Sequence, residues 1–394
     1  MKTMRAKWLR QASVQRVFAL VTGAGGQARI AGGAVRNALM GKAVADIDFA
    51  TTLSPQAVMQ IFMAAGHAAH PTGIDHGTVT VVVDGHAFEV TTLRKDVTTD
   101  GRRAVVSFTD DWRADALRRD FTMNALYCDA NGKIHDFTNG YEDILKNRIR
   151  FVGNPTARIK EDYLRILRYF RFLSTFGKLK AGGDGVAACV RLRKGLLTLS
   201  AERISQEMQK LLTGEKAVPV LKLMAAHKVL RNVIDHTNEF RTVSRLPPDA
   251  ILRAFALAQN PLALKEMWRL SNQQAERIKK LSEFSLPSLG LRPDEQRRIL
   301  YQMGEQAWRD SVHLAWARSR TAPNDRAWKR MLSLPQRWSI PEFPVLGRDL
   351  IALGHAAGPD LGQTLKQLEE LWIASDFKPS KHDLLKNLTG VHCD

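Results

Sequence analysis

Apolar positions recur with helical spacing over residues 12–22 (Val14, Val17, Phe18, Val21), which predicts a first helix. Arg29-Ile30-Ala31 reads as a short strand and Gly32-Gly33 as a turn. Ala34 to Met40 reads as a second helix that Gly41 is placed to end. From Ala45 to Thr51 the apolar Ala45, Ile47 and Phe49 alternate with Asp46 and Asp48, the period of a strand. Thr78–Val83 and His86–Arg94 are two further strand-like runs, and Asp84-Gly85 between them is a two-residue hairpin signal. Lys95–Asp111 is polar, with few packing residues, and is expected to be a mobile loop beside a functional surface. After about residue 155 the pattern turns helical, beginning with the stripe Ile159, Tyr163, Ile166, Leu167 and Phe170. Residues 200–394 continue in that manner, punctuated by Pro219, Pro247-Pro248, Pro287, Pro335 and Pro341. The chain thus reads as a mixed α/β segment of some 137 residues followed by helices.

A length of 394 residues is too great for one compact core, and an apolar fraction of 44% is ordinary for a globular protein. Charge changes the picture more. Lys and Arg number 58 against 40 Asp and Glu, a net +18, which favours a polyanionic partner such as nucleic acid. Solubility and anionic membrane are the alternatives that charge alone leaves open. No apolar run is long enough to span a bilayer, and the basic Met1–Arg10 is followed by no convincing cleavage site, so a cytoplasmic protein with no membrane partner is expected. Cys128, Cys189 and Cys393 fit neither a disulfide nor a zinc spacing.

The candidate chemistry begins with Asp46 and Asp48. Two apart on a strand, they would share a face, and two hard oxygen ligands suit Mg²⁺, with two ions able to activate a hydroxyl and stabilise departing pyrophosphate. Such a pair is also a common surface feature. Gly32-Gly33 between strand and helix offers bare N–H groups to a triphosphate, or simply a tight turn, and Arg36 could add a charge-assisted contact. Glu89, on the second strand of the hairpin, is a candidate third carboxylate or an exposed strand residue. Val21–Gly26 imitates a dinucleotide turn, but helical spacing precedes it and no βαβ unit follows.

Gly32-Gly33-Ala34-Val35-Arg36-Asn37 followed by Asp46-Ile47-Asp48-Phe49-Ala50-Thr51 resembles the opening motif of the class II tRNA nucleotidyltransferases and bacterial poly(A) polymerases, of the polymerase-β superfamily. Arg118-Arg119-Asp120-Phe121-Thr122-Met123-Asn124-Ala125 resembles the family's second motif, which implies ribose and phosphate contacts from Arg118, Arg119, Asp120 and Asn124. Asp136–Gly153, Glu161-Asp162-Tyr163-Leu164-Arg165 with Arg168, and Ser200–Ile204 resemble three further motifs in the same order. One position departs: Asn37 stands where the family usually has Asp. The resemblance implies an α+β protein with a nucleotidyltransferase head (1–137) bearing a small mixed sheet. A helical neck (138–215), body (216–300) and tRNA-binding tail (301–394) would follow.

It also implies template-independent addition of CCA to the tRNA 3′ end from CTP and ATP. Asp162 and Arg165, read as neighbours on one helix face, can replace a template. An ionised Asp accepts from the exocyclic amine of cytosine or adenine while Arg donates to the adjacent ring nitrogen. Uracil and guanine leave both unpaired, at about 1–3 kcal/mol each, or roughly a hundredfold discrimination. Glu161 would orient Arg165. The C-to-A switch in the family involves a loop after the catalytic sheet; Lys95–Asp111 corresponds, with Asp100, Arg102 and Arg103 as participants, and its full length favours complete CCA over CC addition. Thr72–Thr80 resembles the bacterial tRNA-directed branch more than poly(A) polymerases. A non-catalytic RNA-binding protein on this scaffold is the alternative of another class. His382-Asp383 lacks the further ligands of a phosphohydrolase site.

Overall fold

A computed structural model describes residues 2–100, 103–178 and 183–389, with 96–100, 103–106, 387 and 389 described by backbone alone. The chain divides into two compact units, Met1–Asp235 and His236–Asp394.

The first unit is built on a seven-stranded sheet. Helix α1 (Ala12–Gly23) buries Val14, Val17, Phe18 and Val21, as its spacing requires. Then come β1 (Ala28–Ala31), α2 (Gly33–Leu39) and β2 (Phe49–Thr51). Helix α3 (Pro55–Ala64) starts with Ser54 as its cap and leads to β3 (Ala68–Gly73), β4 (Thr78–Val83) and β5 (His86–Thr92). β4 and β5 are joined by Asp84 (φ 50°) and Gly85 (φ 76°), both left-handed as the two-residue hairpin demands. After a ribbon of β6 (Arg94–Asp100) and β7 (Arg103–Phe108), α4 (Trp112–Leu117) precedes β8 (Leu126–Cys128) and β9 (Ile134–Asp136). The sheet order is β3-β4-β5-β2-β1-β8-β9, parallel only between β2 and β5. Phe49 anchors its core, edge-on to Phe18 and Phe88 at 5.0 and 5.7 Å.

Helices α5 (Gly140–Leu145), α6 (Pro155–Glu161), α7 (Leu164–Thr175), α8 (Asp184–Arg191) and α9 (Ala201–Leu212) complete the site-bearing part of this unit. Phe121 joins sheet to helices: its ring lies 4.9 to 6.2 Å from those of Phe151, Phe172 and Tyr169. The mixed-sheet head with a helical remainder agrees with the α+β expectation.

Two local expectations are corrected. Asp46 and Asp48 lie just before β2, not within it. Ladder pairing with β1 ends at Ile30 opposite Phe49, because the chain turns away at Gly32 (φ 63°) and residues before 48 have no partner strand. Lys95–Asp111, expected as a loop, is largely the β6–β7 ribbon, paired from Arg94 opposite Phe108 to Asp100 opposite Arg103 with a register shift between Asp96 and Thr98. The β-branched Val97-Thr98-Thr99 and Val105-Val106 are strand formers whose signal the polar composition hid.

The second unit is helical among its described residues, and its tryptophans are mostly core. Trp268, Trp308, Trp328 and Trp372 are buried, and Trp308 and Trp328 pack with Leu300, Val312, Met331 and Leu334. Cys128 and Cys189 are buried free thiols, while Cys393 lies outside the described residues.

Candidate active site

The sheet and α7 enclose a cavity of about 590 Å³ in the first unit. Its walls carry eight arginines (36, 94, 118, 119, 165, 168, 171 and 203) against four carboxylates, Asp48, Glu89, Asp120 and Asp162. Such a surplus of fixed guanidinium groups suits a ligand with several negative charges.

The carboxylate side is made by Asp48, just before β2, and Glu89 of neighbouring β5, which line the cavity, while exposed Asp46 lies outside the lining. Burial, then Glu89 and Asp46, push the Asp48 carboxyl up to about 6, against a smaller pull from Arg119. A cation would relieve that crowding. Among the described residues no three His, Cys, Asp or Glu side chains are arranged to hold an ion alone, so a metal here would draw on substrate oxygens too.

Next to Asp48, whose carbonyl accepts from Ala31 N (2.9 Å), stands the glycine turn. Gly32 adopts φ 63°, and a Cβ there would come within 3.2 Å of Arg119 Nη1, so both conformation and space call for glycine. Arg36 donates from Nη1 to Asn124 Oδ1 (2.6 Å) and lies over the rings of Phe172 and Phe176. Burial and Arg171 lower its pKa to about 10, so it stays cationic at neutral pH. Asp120 accepts from Phe121 N and Asn124 Nδ2 on Oδ1, and from Arg168 Nε and Nη2 (2.8 and 2.6 Å) on Oδ2. Desolvation opposes its charge, but its carboxyl is held low by Arg168.

Arg118 and Arg119 owe their placement to Asp115, a buried residue absent from the sequence reading. Its carboxylate accepts from Arg118 Nε and Nη2, Arg119 Nε and Nη2, and Tyr127 Oη. Burial pushes its carboxyl up, but Arg119, Arg118 and the Tyr127 hydroxyl overcome this and hold it at about 2. The signal was in the sequence: Asp115 precedes the two arginines by three and four residues, a helical ion-pair spacing.

Asp162 is not on a continuous helix. It ends α6 with extended backbone (φ −158°, ψ 108°), and its Oδ1 accepts from Leu164 N at the start of α7. Oδ2 accepts from Arg203 Nη2 (2.8 Å) of α9. Arg165 donates to Arg158 O and to Glu161 Oε2, which also pairs with Arg158. Thus Asp162 and Arg165 share the cavity through a helix break, with Glu161 holding Arg165 from outside the lining. Arg171, Phe172 and Arg203 also line the cavity; none is among the expected site residues, although Arg171-Phe172 continues the Glu161–Arg165 motif and Arg203 lies in the Ser200–Ile204 motif. Buried Glu207 ties Arg168 and Arg171 together. Arg102 lies outside the described residues, as do the side chains of Asp100 and Arg103.

Across 92% of its length the chain is 35% identical, over 389 residues, to the zebrafish (Danio rerio) mitochondrial CCA tRNA nucleotidyltransferase 1, spanning 86% of that protein. The chain belongs to the CCA tRNA nucleotidyltransferase family. Membership extends to bacterial sequences: a CCA-adding enzyme of Lacticaseibacillus paracasei is 31% identical, with 95% of each chain covered. Family models place a poly A polymerase head domain at residues 28–150, a probable RNA- and SrmB-binding site of polymerase A at 185–240, and a tRNA nucleotidyltransferase domain 2 at 251–388. Among solved structures, the Bacillus stearothermophilus CCA-adding enzyme in complex with CTP superposes with a TM-score of 0.80 at 26% identity, covering 96% of this chain and 97% of that one. The cavity therefore sits in a nucleotidyltransferase of this family, with the Gly32–Asn37 turn, Asp46, Asp48 and the second motif all inside the head-domain match.

Proposed function

We propose that this protein adds CCA to the 3′ end of tRNA, using CTP and ATP and releasing pyrophosphate. The observation that carries the reading is one cavity bringing crowded carboxylates, an arginine wall and the Asp162–Arg165 pair together in a member of the CCA-adding family. In each addition the 3′-hydroxyl oxygen bonds to the α-phosphorus. The bond from that phosphorus to its bridging oxygen breaks, pyrophosphate departs with the electron pair, and the hydroxyl proton passes to solvent water.

Asp46 and Asp48 would hold Mg²⁺, two ions in this reading, which supplies Lewis-acid activation of the hydroxyl and charge neutralisation at the leaving group. The crowding that raises the Asp48 carboxyl supports a cation at this place, and Glu89 contributes to the same negative field. The Gly32-Gly33 turn, Arg36, Arg118 and Arg119 bind the triphosphate and ribose, aligning the α-phosphorus. Asp120 and Asn124 act by placing Arg168 and Arg36. Asp162, whose oxygens retain lone pairs beside Leu164 N and Arg203, accepts the exocyclic amine of cytosine or adenine. Arg165, steadied by Glu161, donates to the adjacent ring nitrogen. Asp100, Arg102 and Arg103 take part in the change from C to A.

The division into head (1–137), neck (138–215), body (216–300) and tail (301–394) belongs to this proposal, as does contact of the helical part with the tRNA acceptor arm through phosphates. A cytoplasmic site of action is in keeping with the absence, among the described residues, of a helix long and apolar enough to cross a membrane. Asp46→Ala and Asp48→Ala test the reading: each is expected to lose extension with either nucleotide while tRNA affinity stays within about twofold. Extension by both variants at the unsubstituted rate would overturn it.

A further inference from the structure

Asn37 makes a set of contacts that only a carboxamide can make. Its Oδ1 accepts from Arg36 Nε (3.1 Å) and Nη2 (2.8 Å), while its Nδ2 donates to the carbonyl of Ala43 (3.1 Å). Arginine only donates and a carbonyl only accepts, so the amide has one satisfying orientation. The residue's own carbonyl accepts from Lys42 N (2.8 Å), closing a second link to the same segment. That segment, residues 41–48, has no ladder partner before Asp48 and carries both Asp46 and Asp48.

Arg36 is therefore held by two neutral amides, Asn37 on one edge and Asn124 on the other, with the Phe172 and Phe176 rings at 5.2 and 4.5 Å. The anion that acts on it, Asp120, is already bound by Arg168. A carboxylate at position 37 could accept from Arg36 equally well. It would neutralise the guanidinium, and it would set an anionic oxygen against the Ala43 carbonyl.

We propose that Asn37 is a positioning residue that presents Arg36 to the nucleotide triphosphate as an un-neutralised cation and fastens it to the backbone of the segment bearing Asp46 and Asp48. The inference rests on the nucleotidyl-transfer reading of this cavity. It also predicts a separation that a merely structural residue would not give. In N37D the new carboxylate pairs with Arg36, a gain that outweighs the lost Ala43 contact, yet the triphosphate loses the charge of Arg36. Stability and nucleotide affinity should move in opposite directions.

The test uses full-length wild type, N37D and N37A with Mg²⁺, measuring CTP and ATP dissociation constants by calorimetry and thermal midpoints by scanning fluorimetry. N37D is expected to bind both nucleotides about tenfold more weakly, since each 1.4 kcal/mol is tenfold, with a midpoint at or above wild type. N37A, which keeps the Arg36 charge but loses its anchor, is expected to fall between the two in affinity. Wild-type affinity in N37D, a loss for one nucleotide only, or a loss matched by a lowered midpoint would each overturn the inference. A wild-type protein that bound neither nucleotide would overturn the underlying reading instead.

Discussion

Asp48 shows how one residue's surroundings set both its chemistry and its cost. Its carboxyl titrates near 6 in the fold, above the usual 3.8, because burial and two neighbouring carboxylates oppose its charge. The unfolded chain ionises first, so ionising Asp48 destabilises the metal-free fold as pH rises from about 4 to 6, and the cost is constant above that. In Asp48→Asn the metal-free protein is therefore expected to be more stable by about 1–3 kcal/mol at pH 7, partly screened, and nearly unchanged at about pH 3, as read by urea denaturation. An equal shift at both pH values would contradict this origin. For Asp162→Ala, extension with single nucleotides should show C and A incorporation giving way to misincorporated U and G; unchanged selectivity would remove Asp162 from base reading. The sequence made Asp48 and Asp162 visible through their motifs. It could not show that Asp162 caps a helix and pairs with Arg203, which depends on a packing of α7 against α9 that no local spacing encodes.

Among the elements, Phe121 bears the most on the site. It follows Asp120 directly and packs against Phe151, Tyr169 and Phe172, so it couples the arginine-bearing turn to α7. Phe121→Ala is expected to cost about 3–5 kcal/mol in equilibrium denaturation, the usual range for a buried aromatic truncated to alanine. A cost below about 1 kcal/mol would show that the coupling is weak. The elements read well where one face is buried: α1, β4 and β5 have clean periods and fall where those periods place them. Reading failed where partners decide. The DxD segment has strand alternation but no strand beside it once β1 turns at Gly32, and the β6–β7 ribbon pairs with itself despite little apolar content.

Over the whole molecule the charge is uneven. Met1–Asp235 holds 35 Lys and Arg against 22 Asp and Glu, and His236–Asp394 holds 23 against 18, so +13 of the +18 lies in the first unit and +5 in the second. The resemblance implies a tRNA-binding tail, whereas most of the excess positive charge lies in the first unit. Accordingly, reversing Arg191, Arg193 and Lys194 to Glu should lower tRNA affinity and flatten its salt dependence more than reversing Lys279, Lys280 and Arg320. The opposite ranking would move the phosphate grip to the second unit. The central claim is the product itself. Purified protein with Mg²⁺ and a tRNA transcript lacking its terminal CCA would be given CTP alone, ATP alone, and both, with products resolved to single nucleotides. Two C residues with CTP, a single further A with both, and then arrest is the expected result. A lengthening ladder of A would make the protein a poly(A) polymerase, arrest after CC a partial enzyme, and no extension a binding protein, and each would contradict the account.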